Sequence, residues 1–270
     1  MNAIDQRFAR LRAEGRKALM PFITAGDPDL DFTAALLRRL AAAGASLCEV
    51  GVPYSDPVAD GPVIQASYTR ALERKLSLDG VLGSLASLRA ELDLPLVTMV
   101  SYAIVFRRGP ADYVRKAKEA GVAGAIVPDL PLEEAPALVE VCRGEDFSFI
   151  PLIAPTTPRD RALRIAEMAT GFIYYVSVAG ITGERRELPP ELAEDVAWLR
   201  GQTPLPVCIG FGISRPEHVR MLAPVADGLI VGSAIVRRIA ETADRPREAV
   251  LDEIDGYVRD LLTAMEPART

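Results

Sequence analysis

Eight short apolar runs, separated by stretches of helical period, limit what this chain can fold into more than any other feature. The first four are "MPFITAG" near 20–26, "LCEVGV" at 47–52, "LPLVTMVSY" at 94–102 and "AGAIVPD" at 123–129. The others are "SFIPLIAP" at 148–155, "GFIYYVSV" at 171–178, "PVCIGFG" at 206–212 and "GLIVGSA" at 228–234. Most are bounded by Gly or Pro and are too short for buried helices, so they read as strands. Their near-continuous apolarity implies that both faces are covered, as in a parallel sheet. Between them, "DFTAALLRRLAAAG" (31–44) places Phe32, Ala35, Leu36 and Leu40 on one face and stops at Gly44. "PADYVRKAKEAG" (110–121) opens on Pro and closes on Gly, and "SRPEHVRMLA" (214–223) offers Ser214 as an N-cap with Glu217 as its capping-box partner. Eight strands alternating with helices in 270 residues predict a (β/α)8 TIM barrel. A doubly wound open sheet is the competing architecture. No Pro/Gly/Ser-rich linker divides the chain, so residues 1–270 are expected to form a single barrel domain. Ile4, Phe8 and Leu11, at helical spacing, predict an extra N-terminal helix placed to plug the barrel floor.

A barrel carries its active site at the C-terminal ends of its strands. The residues there are Thr24, Gly26 and Asp27 after the first run, Glu49 with Asp56 and Asp60 after the second, Tyr102 after the third, Asp129 after the fourth, and Tyr174 and Tyr175 in the sixth. A buried Glu is costly unless it is paired, protonated or functional, so Glu49 is the leading candidate for acid/base chemistry. Asp56, Asp60 and Asp129 also suit ordinary turn roles. Glycine loops follow the last three runs, as "AGITGE", "GFGIS" and "GSAIV", and each leads toward a helix. Three such neighbouring loops favour a phosphate site built from backbone amides and helix N-termini.

Composition narrows the chemistry. A net charge of −6 argues against nucleic acid and anionic membranes as partners. Cys48, Cys142 and Cys208 are scattered without metal-ligand spacing, which points away from a disulfide framework and toward a reducing cytoplasm. The N-terminal stretch has no continuous apolar region, so no secretory signal is expected. None of the four lysines, Lys17, Lys75, Lys116 and Lys118, falls at a strand C-terminus, which argues against a Schiff-base aldolase or a protein-linked pyridoxal site. The single histidine, His218, is expected on a helix surface, and one His without a Cys cluster argues against zinc. No GxGxxG follows the first strand, so no dinucleotide site is expected. What remains is acid/base chemistry by carboxylates on a small phosphorylated molecule, with no metal and no cofactor held by this chain.

"PFITAGDP", "EVGVPYSDPVADGPVIQ", "VPDLPLEE", "LIAPTTP", "GITG", "GFGIS" and "VGSAIV", in that order along nearly the whole chain, resemble the α subunit of tryptophan synthase. The resemblance implies a lyase of tryptophan biosynthesis that cleaves indole-3-glycerol phosphate to indole and glyceraldehyde 3-phosphate. It implies Glu49 as acid/base and Asp60 as the carboxylate that bonds the indole N–H and faces the positive charge developing in the ring. It implies Phe22, Ile64 and Val100 as walls of the indole site, Tyr174 as the pocket tyrosine and Thr182 as a loop residue approaching Asp60. Gly183, Gly212, Gly232 and Ser233 would bind phosphate, and closure of the 180–189 loop would exclude water. The implied partner is a β subunit that holds its own pyridoxal phosphate and faces Pro53, Asp56 and Pro57, in an α2β2 heterotetramer in the cytoplasm.

The chain departs from the family pattern at three places. Ala103 and Ile104 stand where many relatives have Asn-Pro, Ala179 where Ser or Thr is common, and Cys48 where an aliphatic is usual. Two alternatives stay open at this point: a free-standing indole-3-glycerol-phosphate lyase, and a weakly active barrel that serves as binding partner and activator of the β subunit.

Overall fold

In the computed structural model, which describes residues 2–57, 60–177, 190–210 and 212–266, the apolar runs become nine parallel strands. They are β1 (Ala18–Thr24), β2 (Cys48–Gly51), β3 (Leu96–Met99), β4 (Val122–Ile126) and β5 (Ser148–Ile150). β6 (Leu152–Ile153), β7 (Ile173–Val176), β8 (Val207–Gly210) and β9 (Gly228–Val231) complete the sheet. The fifth run is divided at Pro151, which has no N–H to give to a neighbouring strand; its carbonyl still accepts from Tyr174 N–H at 3.2 Å.

Strand order is β5-β4-β3-β2-β1-β9-β8-β7-β6, so the first strand bonds to both the second and the last. The two ends of this order are the halves of one run, flanking Pro151. That is a nearly closed barrel. A doubly wound sheet would reverse its strand order at a switch point, and none occurs here.

Alternation along the strands sorts the apolar residues into two clusters. Met20, Phe22, Val97, Met99, Ile126, Tyr174 and Cys208 belong to the barrel interior. Leu19, Ile23, Cys48, Val50 and Val100 belong to the layer between barrel and helices. Both layers are dry, which is why the strands read as unbroken apolar runs.

The N-terminal helix, Ala3–Ala13, starts from a capping box in which the Asn2 side chain accepts from the Ile4 and Asp5 amides. Asn2 also donates to Ser148 Oγ at 2.6 Å, which ties the helix start to β5. Ile4, Phe8 and Leu11 are buried and join the interior cluster, so this helix closes the barrel floor as the spacing predicts. Phe8 meets Phe172 with ring centroids 5.7 Å apart. Phe8→Ala should destabilise the fold by ~3 kcal/mol, the usual cost of removing a buried aromatic; urea unfolding measures it, and a loss below ~1 kcal/mol would mean the plug is not structural.

Helix punctuation follows the sequence in two of the three segments above. The Leu30–Ala43 helix has Asp29 as N-cap and ends on Gly44 at φ +99°, a left-handed value that favours glycine. The Pro110–Glu119 helix opens on Pro and is followed by Gly121 at φ +87°. The third expectation is corrected. The helix over Pro216–Leu222 has Arg215 at its N-cap with no side-chain bond, and the Ser214 N–H instead donates to His218 Nδ1 at 3.3 Å. His218, expected on the surface, is buried, and burial together with the nearby Arg215 charge lowers its pKa. Among the described residues no helix is long and apolar enough to cross a membrane.

Candidate active site

Glu49 lies on the interior face of β2, paired in register with Phe22 of β1 and Val97 of β3. It is fully buried, and neither carboxylate oxygen has a hydrogen-bond partner among the described residues. Desolvation with no compensating bond pushes its pKa well above the ordinary carboxylate range, which favours its protonated form. That protonation state suits a general acid.

Asp60 reaches the same space from the loop after β2. Its backbone is fixed: its N–H donates to Pro57 O at 3.1 Å, and its carbonyl accepts from the Gln65 side chain at 2.8 Å. Its Oδ2 is buried without a partner among the described residues, and desolvation raises its pKa to about 6. The two carboxylates therefore differ in kind: burial favours the protonated form far more at Glu49 than at Asp60, a division that separates a proton-transfer role from an electrostatic role.

Space for these groups comes from glycines on the interior faces. A Cβ at Gly51, two residues after Glu49 on the same face of β2, would lie 2.6 Å from Phe22 Cζ and 2.7 Å from Tyr68 Oη. A Cβ at Gly210 on β8 would lie 2.1 Å from Tyr174 Oη. Tyr174 is buried, and the Glu49 and Asp60 charges both act on its phenol, whose pKa burial raises well above normal. Gly210→Ala must therefore displace Tyr174 and should cost ~2 kcal/mol of stability while raising KM several-fold; unchanged Tm and KM would place Tyr174 outside the substrate volume.

Ile64 is buried in the interior cluster on the Pro62–Glu73 helix, alongside Phe22. That helix is anchored over the end of β1 by Thr24, bonded to Ser67 at 2.6 Å, and by Asp27, paired with Arg70 through two bonds of 2.9 and 2.6 Å. Thr24 and Asp27, read as strand-end candidates, thus position the helix. Val100 groups with the outer layer, whereas Met99 beside it belongs to the interior cluster.

Gly232 and Ser233 form the start of the Ser233–Ala240 helix, where Gly232 is the N-cap and no side chain satisfies the first amides. Gly212 adopts φ +77°, a conformation that glycine reaches without strain. Free amides at a helix N-terminus provide an anion site without basic side chains. Thr182, Gly183, Ala179 and the 180–189 loop lie outside the described residues.

Of the remaining candidates, Asp129 caps the Tyr102–Arg108 helix, accepting from Ser101 Oγ at 2.6 Å and from the Tyr102 N–H at 2.7 Å. Asp56 is exposed and bonds Ser55. Tyr175 points into the outer layer, where its hydroxyl donates to Asp195 at 3.0 Å. The sequence reading missed Tyr68, a buried residue of the Pro62–Glu73 helix whose hydroxyl reaches the site.

Comparison with known proteins agrees with this geometry. The sequence model of the family described as tryptophan synthase alpha chain matches residues 8–264. The tryptophan synthase alpha chain of Rhodopirellula baltica is 55% identical over 257 residues, covering 94% of this chain and 92% of that one. The crystal structure of the tryptophan synthase alpha subunit from Legionella pneumophila superposes with a TM-score of 0.90 at 35% identity, covering 98% of both chains. A chain of the aminoacrylate-bound tryptophan synthase of M. tuberculosis gives a TM-score of 0.87 at 27% identity, covering 98% of this chain and all of that one. A nearly closed parallel barrel and matches across nearly the whole chain lead to one assignment: the chain belongs to the tryptophan synthase alpha chain family.

Proposed function

We propose that Glu49 and Asp60 carry the reaction of this family, and that Glu49 performs both of its proton transfers. The chain is a lyase of tryptophan biosynthesis, cleaving indole-3-glycerol phosphate to indole and glyceraldehyde 3-phosphate. The observation that carries the residue assignment is the full burial of Glu49 opposite Phe22, with no hydrogen-bond partner for its carboxyl among the described residues.

The reaction needs a proton on indole C3 and the loss of a proton from the adjacent glycerol hydroxyl. Protonated Glu49 gives its proton to C3, and positive charge moves toward the ring nitrogen. The resulting carboxylate takes the hydroxyl proton. The C–C bond then breaks, its electron pair returns to the ring, and an aldehyde forms. Glu49 ends in its starting protonation state, so no external acid or base is consumed. Ionised Asp60 bonds the ring N–H and stabilises the cationic intermediate. Phe22 and Ile64 provide apolar walls for the ring, and Tyr174 closes the deep side. The amides at Gly183, Gly212, Gly232 and Ser233 bind the phosphate, and Thr182 approaches Asp60 as the 180–189 loop closes.

As an alpha chain it works with a beta chain. The finer reading is an α2β2 assembly in the cytoplasm, with pyridoxal phosphate held by the beta chain and none by this one. The test is cleavage of indole-3-glycerol phosphate by the purified chain with and without a cognate beta chain. Slow cleavage alone and strong stimulation by beta are expected. Fast, beta-independent cleavage would make it a free-standing lyase, and Ala103 and Ile104 would be the first positions to revert. Activation of beta without any cleavage would reduce the chain to a binding partner.

A further inference from the structure

Four buried oxygens at the barrel mouth lack hydrogen-bond partners among the described residues: both of Glu49, Oδ2 of Asp60 and Oη of Tyr68. Tyr68 is 1% exposed, so its hydroxyl is cut off from bulk water. Its position is over-determined. Ser67 and Arg70, on either side of it, lock its helix to Thr24 and Asp27, and its ring packs against Tyr54 at 5.5 Å between centroids. The hydroxyl lies over Gly51, next to the Phe22 ring and one step above Glu49 on the same strand face. A buried phenol kept without a partner is costly, and phenylalanine would fill the same volume without that cost.

The inventory of groups indicates what the hydroxyl does. Burial raises its pKa well above normal, and the titratable groups near enough to add to that shift are Asp60 first, then Tyr54 and Glu49. Tyr54 from its own loop, Tyr68 from the adjoining helix and Tyr174 from β7 all lie within electrostatic reach of Asp60, and Asp129 lies within reach of Tyr54. Burial favours the neutral form of Glu49, which needs a donor less than an ionised carboxylate does. Asp60 Oδ2 is an acceptor short of a donor, and Tyr68 is a donor short of an acceptor.

We propose that Tyr68 is a positioning residue for Asp60: as substrate fills the barrel mouth, the phenol O–H donates to Asp60 Oδ2 and holds that carboxylate ionised and aimed at the indole ring. This rests on the role of Asp60 given above. The ring N–H of the substrate then bonds the other oxygen, so both carboxylate oxygens are held before charge develops in the ring.

The experiment is Tyr68→Phe in the full chain with the beta chain present, with steady-state indole release measured across pH. The expected result is a fall in kcat of about 10- to 100-fold, the range for losing a hydrogen bond to a charged group, with KM changed less than threefold. The acid limb of kcat should move to higher pH by about one unit, because Asp60 loses a donor that favours its ionised form. Tm should stay the same or rise, since the hydroxyl makes no bond in this structure to lose. In an Asp60→Asn background the same substitution should add less than threefold. A lowered Tm with an unmoved acid limb would make Tyr68 structural and overturn the proposal, as would unchanged kcat. Full multiplication of the two effects in the double variant would mean that Tyr68 acts on the substrate directly, and would also overturn it. If Asp60→Asn alone changes kcat less than threefold, the Asp60 reading itself fails, an outcome visible without Tyr68.

Discussion

Glu49→Gln is expected to lower cleavage of indole-3-glycerol phosphate by ~10³-fold or more while leaving the barrel folded. The size follows from the double duty of one group: general acid and general base steps each contribute about 10²–10⁴-fold, and the amide can perform neither. The fold should survive because Gln has nearly the same shape and replaces a carboxyl whose neutral form burial favours. The sign of the stability effect is fixed by linkage. The folded-state pKa of Glu49 is raised, so the folded state binds its proton more tightly than the unfolded chain does. That contribution to stability is complete below the unfolded carboxylate value and is lost as pH rises toward the raised folded value. Gln removes this loss, so stability near neutral pH should fall less steeply with rising pH in the variant. Rate assays together with urea titrations at two pH values measure both effects. Near-normal turnover in a folded variant would remove Glu49 from the chemistry.

Glu49 was legible in the sequence because a carboxylate in an apolar strand has few bland explanations, and the barrel rule says which end of the strand matters. The barrel itself followed from the length and spacing of the runs. The features that escaped depend on packing between distant segments. Pro151 divides a strand because it has no N–H to give, and the run "SFIPLIAP" does not by itself say that its two halves pair with strands at opposite ends of the sheet order. Ser214 and Glu217 had the spacing of a capping box, yet a buried His218 took the Ser214 amide. Asp129 proved to be a cap for another segment's helix, 27 residues away in sequence. Tyr68 sits in a helix whose pattern reads as ordinary amphipathic packing. Only the glycine at position 51 on a facing strand makes room for its hydroxyl beside Glu49.

Asp60→Asn is expected to reduce kcat by ~10²-fold, the effect of removing one preorganised charge from a water-poor site, with a smaller change in KM. The asymmetry arises because Asp60 faces charge that exists only after indole C3 is protonated; in the ground state it makes a single bond to a neutral N–H, which Asn Oδ1 can also accept. The pH profile separates this role from a loss of shape. With its pKa raised to about 6, wild-type Asp60 gives kcat/KM an acid limb near that pH, and the limb should vanish in the Asn variant. Stability runs the other way. The Asp60 contribution is complete below the ordinary carboxylate pKa and is lost as pH rises through about 6, so the Asn variant should match or exceed the wild type in Tm at pH 7. A slower enzyme that is no less stable, and that has lost its acid limb, is what an electrostatic residue predicts. A rate change under about threefold, or an acid limb that persists in the Asn variant, would assign the charge stabilisation to another group at the barrel mouth.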